Sequence, residues 1–160
     1  MSGALVYSER QSVALELLTF AATLPPPAAV ALLGSEAAAW AGDCFAHGAA
    51  RAYTADDPAL AGFPADVVAS ALAQVAEQAE ADVVLVGSTL RGREVAGRLA
   101  QKLGAGCVTD ANGLRLEDGR IVATRYALGG NTIATQVITS ARQVVAVMPQ
   151  TIEAVPMGGG

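Results

Sequence analysis

The chain has 160 residues, of which 52 % are apolar but only 4 % aromatic, and it carries a formal net charge of −5 with a pI near 4.7. That length suits one domain with a core of Ala, Val and Leu, and leaves too little for a second. The acidic balance excludes general nucleic-acid binding and attraction to anionic membranes, both of which want a basic surface.

Apolar runs of four to six residues alternate with segments of helical period, the pattern of an α/β domain with a mostly parallel sheet between helices. The first strand is read at Ala4–Tyr7. A helix follows over about Gln11–Thr23, with Val13, Leu17 and Phe20 on one face, and Pro25-Pro26-Pro27 stops it. Ala28–Leu33 is the second strand. Gly34-Ser35-Glu36 opens a second helix through about Ala46, with Ser35 as its expected N-cap. A short strand at Arg51–Thr54 precedes the turn Asp56-Asp57-Pro58. The third helix, about Pro64–Glu80, has Pro in its first turn and an inner stripe of Val68, Leu72, Val75 and Ala79. Val83–Val86 is wholly apolar and reads as a central strand buried on both faces, beside the first strand. The fourth helix, about Glu94–Leu103, repeats Val95, Leu99 and Leu103.

Past Gly106 the pattern becomes antiparallel. Leu114–Leu116, Ile121–Tyr126 and Thr132–Val137 read as short strands, with a tight hairpin at Asp118-Gly119. Val144–Met148 is the last strand, stopped by Pro149. One domain over residues 1–150 is expected, with a flexible tail at 151–160. The longest apolar stretches fall short of the ~20 residues of a membrane span, so membrane insertion is not expected. The N-terminus has no secretory pattern, and Cys44 and Cys107 stand in no CxxC pair. The expectation is a cytoplasmic protein with two reduced, packed thiols.

Few residues suggest chemistry. His47, the one histidine, has no nucleophile with a local signature and reads as a C-terminal cap of the second helix. Asp56 and Asp57 lack further ligands at metal-site spacing and read as a turn. Trp40 reads as packing, and Gly129-Gly130-Asn131 as a strand turn. The exception is Ser88-Thr89-Leu90-Arg91-Gly92-Arg93, between the central strand and the fourth helix. Four of the ten basic residues fall between Arg91 and Lys102. Ser88 and Thr89 supply hydroxyls, Gly92 allows close backbone approach, and Arg91 or Arg93 adds charge-assisted bonds, so the loop could cradle an anion. It matches neither GxxxxGK[ST] nor GxGxxG. The alternative reading pairs Arg93 with Glu94 at the surface and uses Ser88 or Thr89 to cap the helix. A structural or interface loop is preferred to a nucleotide site, and no catalytic residue or metal ligand can be named.

The stretches GSTLRGREVAGRLAQKLGAGCVTD and ATRYALGGNTIAT, in this order and separation, resemble the N-terminal domain of the electron transfer flavoprotein alpha subunit. Gly87, Ser88, Gly92, Arg93, Arg98, Leu99, Ala100, Leu103, Thr109, Asp110, Arg125, Gly129, Gly130 and Asn131 fall on that family's motif positions. Glu94 stands where Asp is usual, Gly97 replaces a Pro, and Leu128 stands where an aromatic or small residue is common. The resemblance implies a Rossmann-like, three-layer α/β/α fold of the adenine nucleotide alpha hydrolase type. It also implies a cytoplasmic, heterodimeric alpha-type component that scaffolds flavin-mediated electron transfer with a beta-type partner.

In that family a C-terminal domain of the alpha subunit holds most FAD contacts, and none of those residues has a counterpart here. The expectation is therefore a stand-alone domain with FAD at the assembly, on a separate FAD-binding domain. Such a chain is an electron-transfer component rather than a catalyst of its own. The similar beta-subunit fold binds AMP, which makes Ser88, Thr89, Arg91, Gly92 and Arg93 candidates by analogy. The alternative is a stand-alone AMP- or ATP-binding domain of the stress-protein type.

Overall fold

The computed structural model describes residues 1–157. Its eight described strands form one sheet: β1 (Ala4–Tyr7), β2 (Ala29–Leu33), β3 (Arg51–Ala55), β4 (Val83–Gly87), β5 (Gly106–Glu117), β6 (Arg120–Ala127), β7 (Thr132–Val137) and β8 (Gln143–Val147). The order is β3-β2-β1-β4-β8-β5-β6-β7. Pairing is parallel from β3 through β8 to β5, and antiparallel between β5 and β6 and between β6 and β7. The mostly parallel sheet with an antiparallel section is thus the expected architecture.

Four α-helices among the described residues cover it: α1 (Gln11–Ala21), α2 (Ala41–Ala46), α3 (Ala65–Gln78) and α4 (Leu90–Leu103). Alternation along each strand divides the core into two layers. On one face Val6, Val30, Leu85 and Val145 pack with Val13, Leu17 and Leu18 of α1 and Cys44 of α2. On the other, Leu5, Val84, Val86 and Val144 pack with Val68 and Leu72 of α3 and Val95 and Leu99 of α4. Central β4, flanked by β1 and β8, is buried on both faces.

Several expectations shift. The Gly34–Ala46 segment is not one helix: a 3₁₀ turn at Ala37–Trp40 leads into the six-residue α2, and Ser35 does not cap it. Pro64 is the N-cap of α3 rather than part of its first turn, and the buried stripe runs Val68, Ala69, Leu72, Ala76. Helix α4 starts four residues early, at Leu90, so Arg91, Gly92 and Arg93 form its first turn and not a loop. Strand β5 runs over 12 residues, extending the expected Leu114–Leu116 strand back to Gly106, with a register irregularity between Val108 and Ala111. The Asp118-Gly119 hairpin stands, both residues having positive φ as a type I′ turn requires. Cys107 is exposed rather than packed; only Cys44 is buried.

Residues 151–157, expected as tail, return across α1 and α2. The Val155 N–H donates to Thr19 Oγ1 at 3.1 Å, and the Met157 N–H to the Ala46 carbonyl at 2.7 Å. Gly158–Gly160 lie outside the described residues.

Candidate functional site

In an open α/β sheet, ligands gather beyond the carboxyl ends of the strands where the strand order reverses. Here that point lies between β1 and β4. The segments leaving these strands are Ser8-Glu9-Arg10 and Ser88-Thr89, so the sheet brings the expected loop against the chain's first loop. Their approach is close: a Cβ on Gly87 would lie 2.7 Å from both Ser8 Oγ and Val13 Cγ1.

Thr89 is the N-cap of α4, with extended backbone, and its Oγ1 accepts the Gly92 N–H at 3.0 Å. The same hydroxyl donates to Glu9 Oε1. A carboxylate therefore already stands near the N-terminal end of α4, where exposed N–H groups and the macrodipole favour negative charge. Gly92 is held there by sterics. A Cβ on it would run into the Gly87 carbonyl oxygen and lie 3.1 Å from Thr89 Oγ1.

Ser88 turns the other way. Its Oγ donates to Asp110 Oδ1 at 2.7 Å and accepts the Asp110 N–H at 3.2 Å, while its own N–H donates to the Val147 carbonyl. Asp110 occupies the β5 irregularity with φ +55°, a conformation that Asp tolerates better than most residues. Its second oxygen, Oδ2, accepts from Arg93 Nη1 at 3.4 Å. Next to it, Thr109 Oγ1 accepts from Arg125 Nη1 at 3.4 Å.

Arg91 stands apart. It makes no ion pair among the described residues, and its guanidinium lies 5.9 Å from the centre of the Phe63 ring, within cation–π range. Phe63 lines a cleft of about 510 Å³ with Gly34, Ser35, Asp56 and Asp57, at the ends of β2 and β3. Burial holds the Tyr7 phenol well above its ordinary range, the Glu9 charge raises it further, and Arg91 lowers it.

The five expected residues thus divide. Ser88, Thr89 and Arg93 already bond to this chain's own carboxylates, Gly92 serves backbone packing, and Arg91 remains available. Arg93 pairs with Asp110 and not with Glu94, whose carboxylate goes instead to Arg98 one turn on, at 3.0 Å. The helix phase explains this: positions i and i+4 share a face, whereas i and i+1 do not. A phosphate entering here would have to displace Glu9 or Asp110.

The sequence places the Ser8-Glu9-Arg10 loop beside the Ser88–Arg93 segment, after two neighbouring strands, but does not give the bond from Thr89 to Glu9. Asp110 was named only as a motif position, and the structure pairs it with Ser88.

The remaining candidates have structural roles. His47 Nδ1 lies 2.8 Å from the Asp43 carbonyl at the C-terminal end of α2. Asp57 Oδ1 accepts the Ala59 N–H at 2.8 Å and caps a 3₁₀ turn. Trp40 packs, half-buried, against the α1 side of the core. Gly129 and Gly130 have positive φ in the turn joining β6 to β7. No cluster of metal-ligating side chains occurs among the described residues, and no described helix is long and apolar enough to cross a membrane.

Comparison with known proteins adds independent findings. Residues 5–160 match the family model described as the electron transfer flavoprotein domain. The chain is 33 % identical over 156 residues to the electron transfer flavoprotein subunit alpha of Clostridium acetobutylicum, covering 93 % of this chain and 46 % of that protein. It is 32 % identical over 158 residues to Protein FixB of Clostridium saccharobutylicum, covering 94 % and 47 %. The subunit alpha of Thermoanaerobacterium thermosaccharolyticum is 33 % identical over 129 residues, covering 78 % and 39 %. The chain spans about half the length, or less, of these relatives.

Proposed function

Because the chain belongs to the electron transfer flavoprotein family, we propose that it is an alpha-subunit-like component of an electron transfer flavoprotein system. In this reading the domain is a scaffold. It pairs with a beta-type subunit and carries, with that partner, a separate FAD-binding domain on which the flavin sits. It works in the cytoplasm as an electron-transfer component and not as a catalyst in its own right.

The observation that supports a scaffold over a nucleotide site is the closed state of the signature turn. The Ser88 and Thr89 hydroxyls donate to Asp110 and Glu9, and Arg93 leans on Asp110, so carboxylates of this chain already stand where a phosphate would sit. For the same reason the residues present do not by themselves form a flavin site. Arg91 and Arg93, both exposed on the first turn of α4, are the residues offered to a partner or to the assembled cofactor. The adenine-nucleotide alternative would require AMP or ATP to displace Glu9 from Thr89.

Co-expression tests the proposal. A tagged chain produced with a beta-type subunit and a FAD-binding domain is expected to recover both in a fixed ratio. Recovery of the chain alone, together with measurable heat on titration with AMP, would replace the scaffold by the nucleotide-binding reading.

A further inference from the structure

Tyr7 ends β1 opposite Val86 of β4 and packs on the α3–α4 face of the sheet. It is 2 % exposed, yet among the described residues its hydroxyl has no hydrogen-bond partner. No fully enclosed side-chain nitrogen or oxygen among those residues is left unpaired, so this hydroxyl lies at an opening. The charges of Glu9 and Arg91 both act on the phenol, which sets the opening beside the N-terminal end of α4. Buried polar groups are normally satisfied, and an unused donor at the rim of a core marks a place for a ligand's acceptor.

Other donors gather at the same helix end. Leu90 and Arg91, the first two residues of α4, have N–H groups with no intrahelical acceptor. The Arg91 guanidinium makes no ion pair among the described residues. Thr89 Oγ1 accepts the Gly92 N–H and keeps its own proton to donate outward. Glu9 takes that proton. Its carboxylate is half-buried and pairs with no cation among the described residues, so the Thr89 hydroxyl and the helix macrodipole hold the charge there. Ser8 Oγ accepts the Arg10 N–H at 3.1 Å and fixes the loop that delivers it.

We infer that this turn is a phosphate-type oxyanion site that the chain fills with its own Glu9 carboxylate. Thr89, Arg91 and the first N–H groups of α4 are its donors, Tyr7 adds the buried hydroxyl, and Glu9 is the lock. Glu9 excludes phosphate twice, by taking the Thr89 proton and by repelling a second negative charge at the helix end. Asp110 is differently held. Two hydrogen bonds with Ser88 and a contact from Arg93 tie it into β5, whereas Glu9 hangs on one bond from Thr89. Removing the Glu9 charge therefore frees a set of donors without disturbing the Ser88–Asp110 pair. The lock rests on the same closed turn that supports the scaffold reading, and it names the residue that closes it.

Calorimetric titration of the isolated full chain with inorganic phosphate, against sodium chloride of matched ionic strength, tests the lock. The wild type is expected to give no saturable heat into the millimolar range. Glu9→Ala is expected to take one phosphate per chain at least about tenfold more tightly, the scale of one charge interaction near a protein surface. Adding Tyr7→Phe or Arg91→Gln to Glu9→Ala should each weaken that binding severalfold. Glu9→Gln keeps the shape and an acceptor for Thr89 without the charge, and should bind with intermediate strength even if Glu9→Ala fails to fold. Folded Glu9 variants that take no phosphate, or a gain that Tyr7→Phe and Arg91→Gln leave unchanged, would overturn the inference and leave the scaffold reading standing. Saturable phosphate binding by the wild type would overturn both.

Discussion

Ser88 and Asp110 clasp the two ends of one strand–helix–strand unit: the Ser88 hydroxyl donates to Asp110 Oδ1 at 2.7 Å and accepts the Asp110 N–H at 3.2 Å. The contact joins the end of β4 to the irregularity in β5 across the intervening β8, and Arg93 from α4 leans on the same carboxylate. Ser88→Ala removes a hydrogen bond to a carboxylate and leaves the Asp110 N–H without its acceptor. It should destabilise the fold by about 2 kcal/mol in urea unfolding. Asp110→Asn keeps a side chain that tolerates positive φ and can still accept a bond, and should cost less.

Gly92 and Gly97 lie in the same helix and should respond oppositely to alanine. A Cβ at Gly92 meets the Gly87 carbonyl, a backbone atom that cannot swing aside, whereas nothing lies within 4 Å of one at Gly97. Gly92→Ala should cost roughly 3 kcal/mol or more, or prevent folding, as steric overpacking does. Gly97→Ala should raise stability by roughly 0.5–1 kcal/mol through helix propensity. Thermal melts of the two variants side by side check the pair.

Alkaline pH should weaken the protein through Cys44. Burial, aided by the Asp43 charge, pushes this thiol from 9.0 up to about 11. The unfolded chain therefore gives up the Cys44 proton first as pH climbs. The stabilisation is complete below the unfolded value and is lost as pH rises from about 9 through 11. The buried Tyr7 phenol, also raised, acts in the same direction at still higher pH. Urea midpoints measured across this range should fall with pH, and less steeply in Cys44→Ala.

The two thiols should differ in reactivity. Cys107 is exposed on β5, while Cys44 is buried against α1. A disulfide reagent at neutral pH should titrate one thiol in the folded protein and both in denaturant, and Cys107→Ser should abolish the fast phase.

Arg91 is the one charged member of the signature turn that the fold does not use in an ion pair. Its contact to Phe63 is exposed, so Arg91→Ala should change stability by less than about 1 kcal/mol. Its effect should appear instead in the affinity of the assembled complex, measured by pull-down with a beta-type subunit.

Much of this architecture was readable in advance, because apolar runs and helical periodicity respond directly to burial. The bounds of β1, the central place of β4 and the β6–β7 antiparallel section all came from that pattern. Conflicts arose where local chemistry and tertiary context disagree. Leu90–Arg93 looked like a loop because a glycine lies between two arginines, yet Thr89 caps a helix there and Gly92 is needed for packing. The short Leu114–Leu116 strand is part of a 12-residue β5, because pairing with β6 and β8 carries it back through Gly113, Asn112 and Asp110 to Gly106. The Glu9–Thr89 contact spans 80 positions and has no local signature at all. Only the parallel pairing of β1 with β4 puts those residues together.

A domain that scaffolds a flavin site without forming one is tested by the visible absorption spectrum of the purified chain, incubated with FAD and desalted, beside the same chain assembled with a beta-type subunit and a FAD-binding domain. No flavin absorbance is expected with the isolated chain, and stoichiometric flavin with the assembly. One flavin per isolated chain would contradict it.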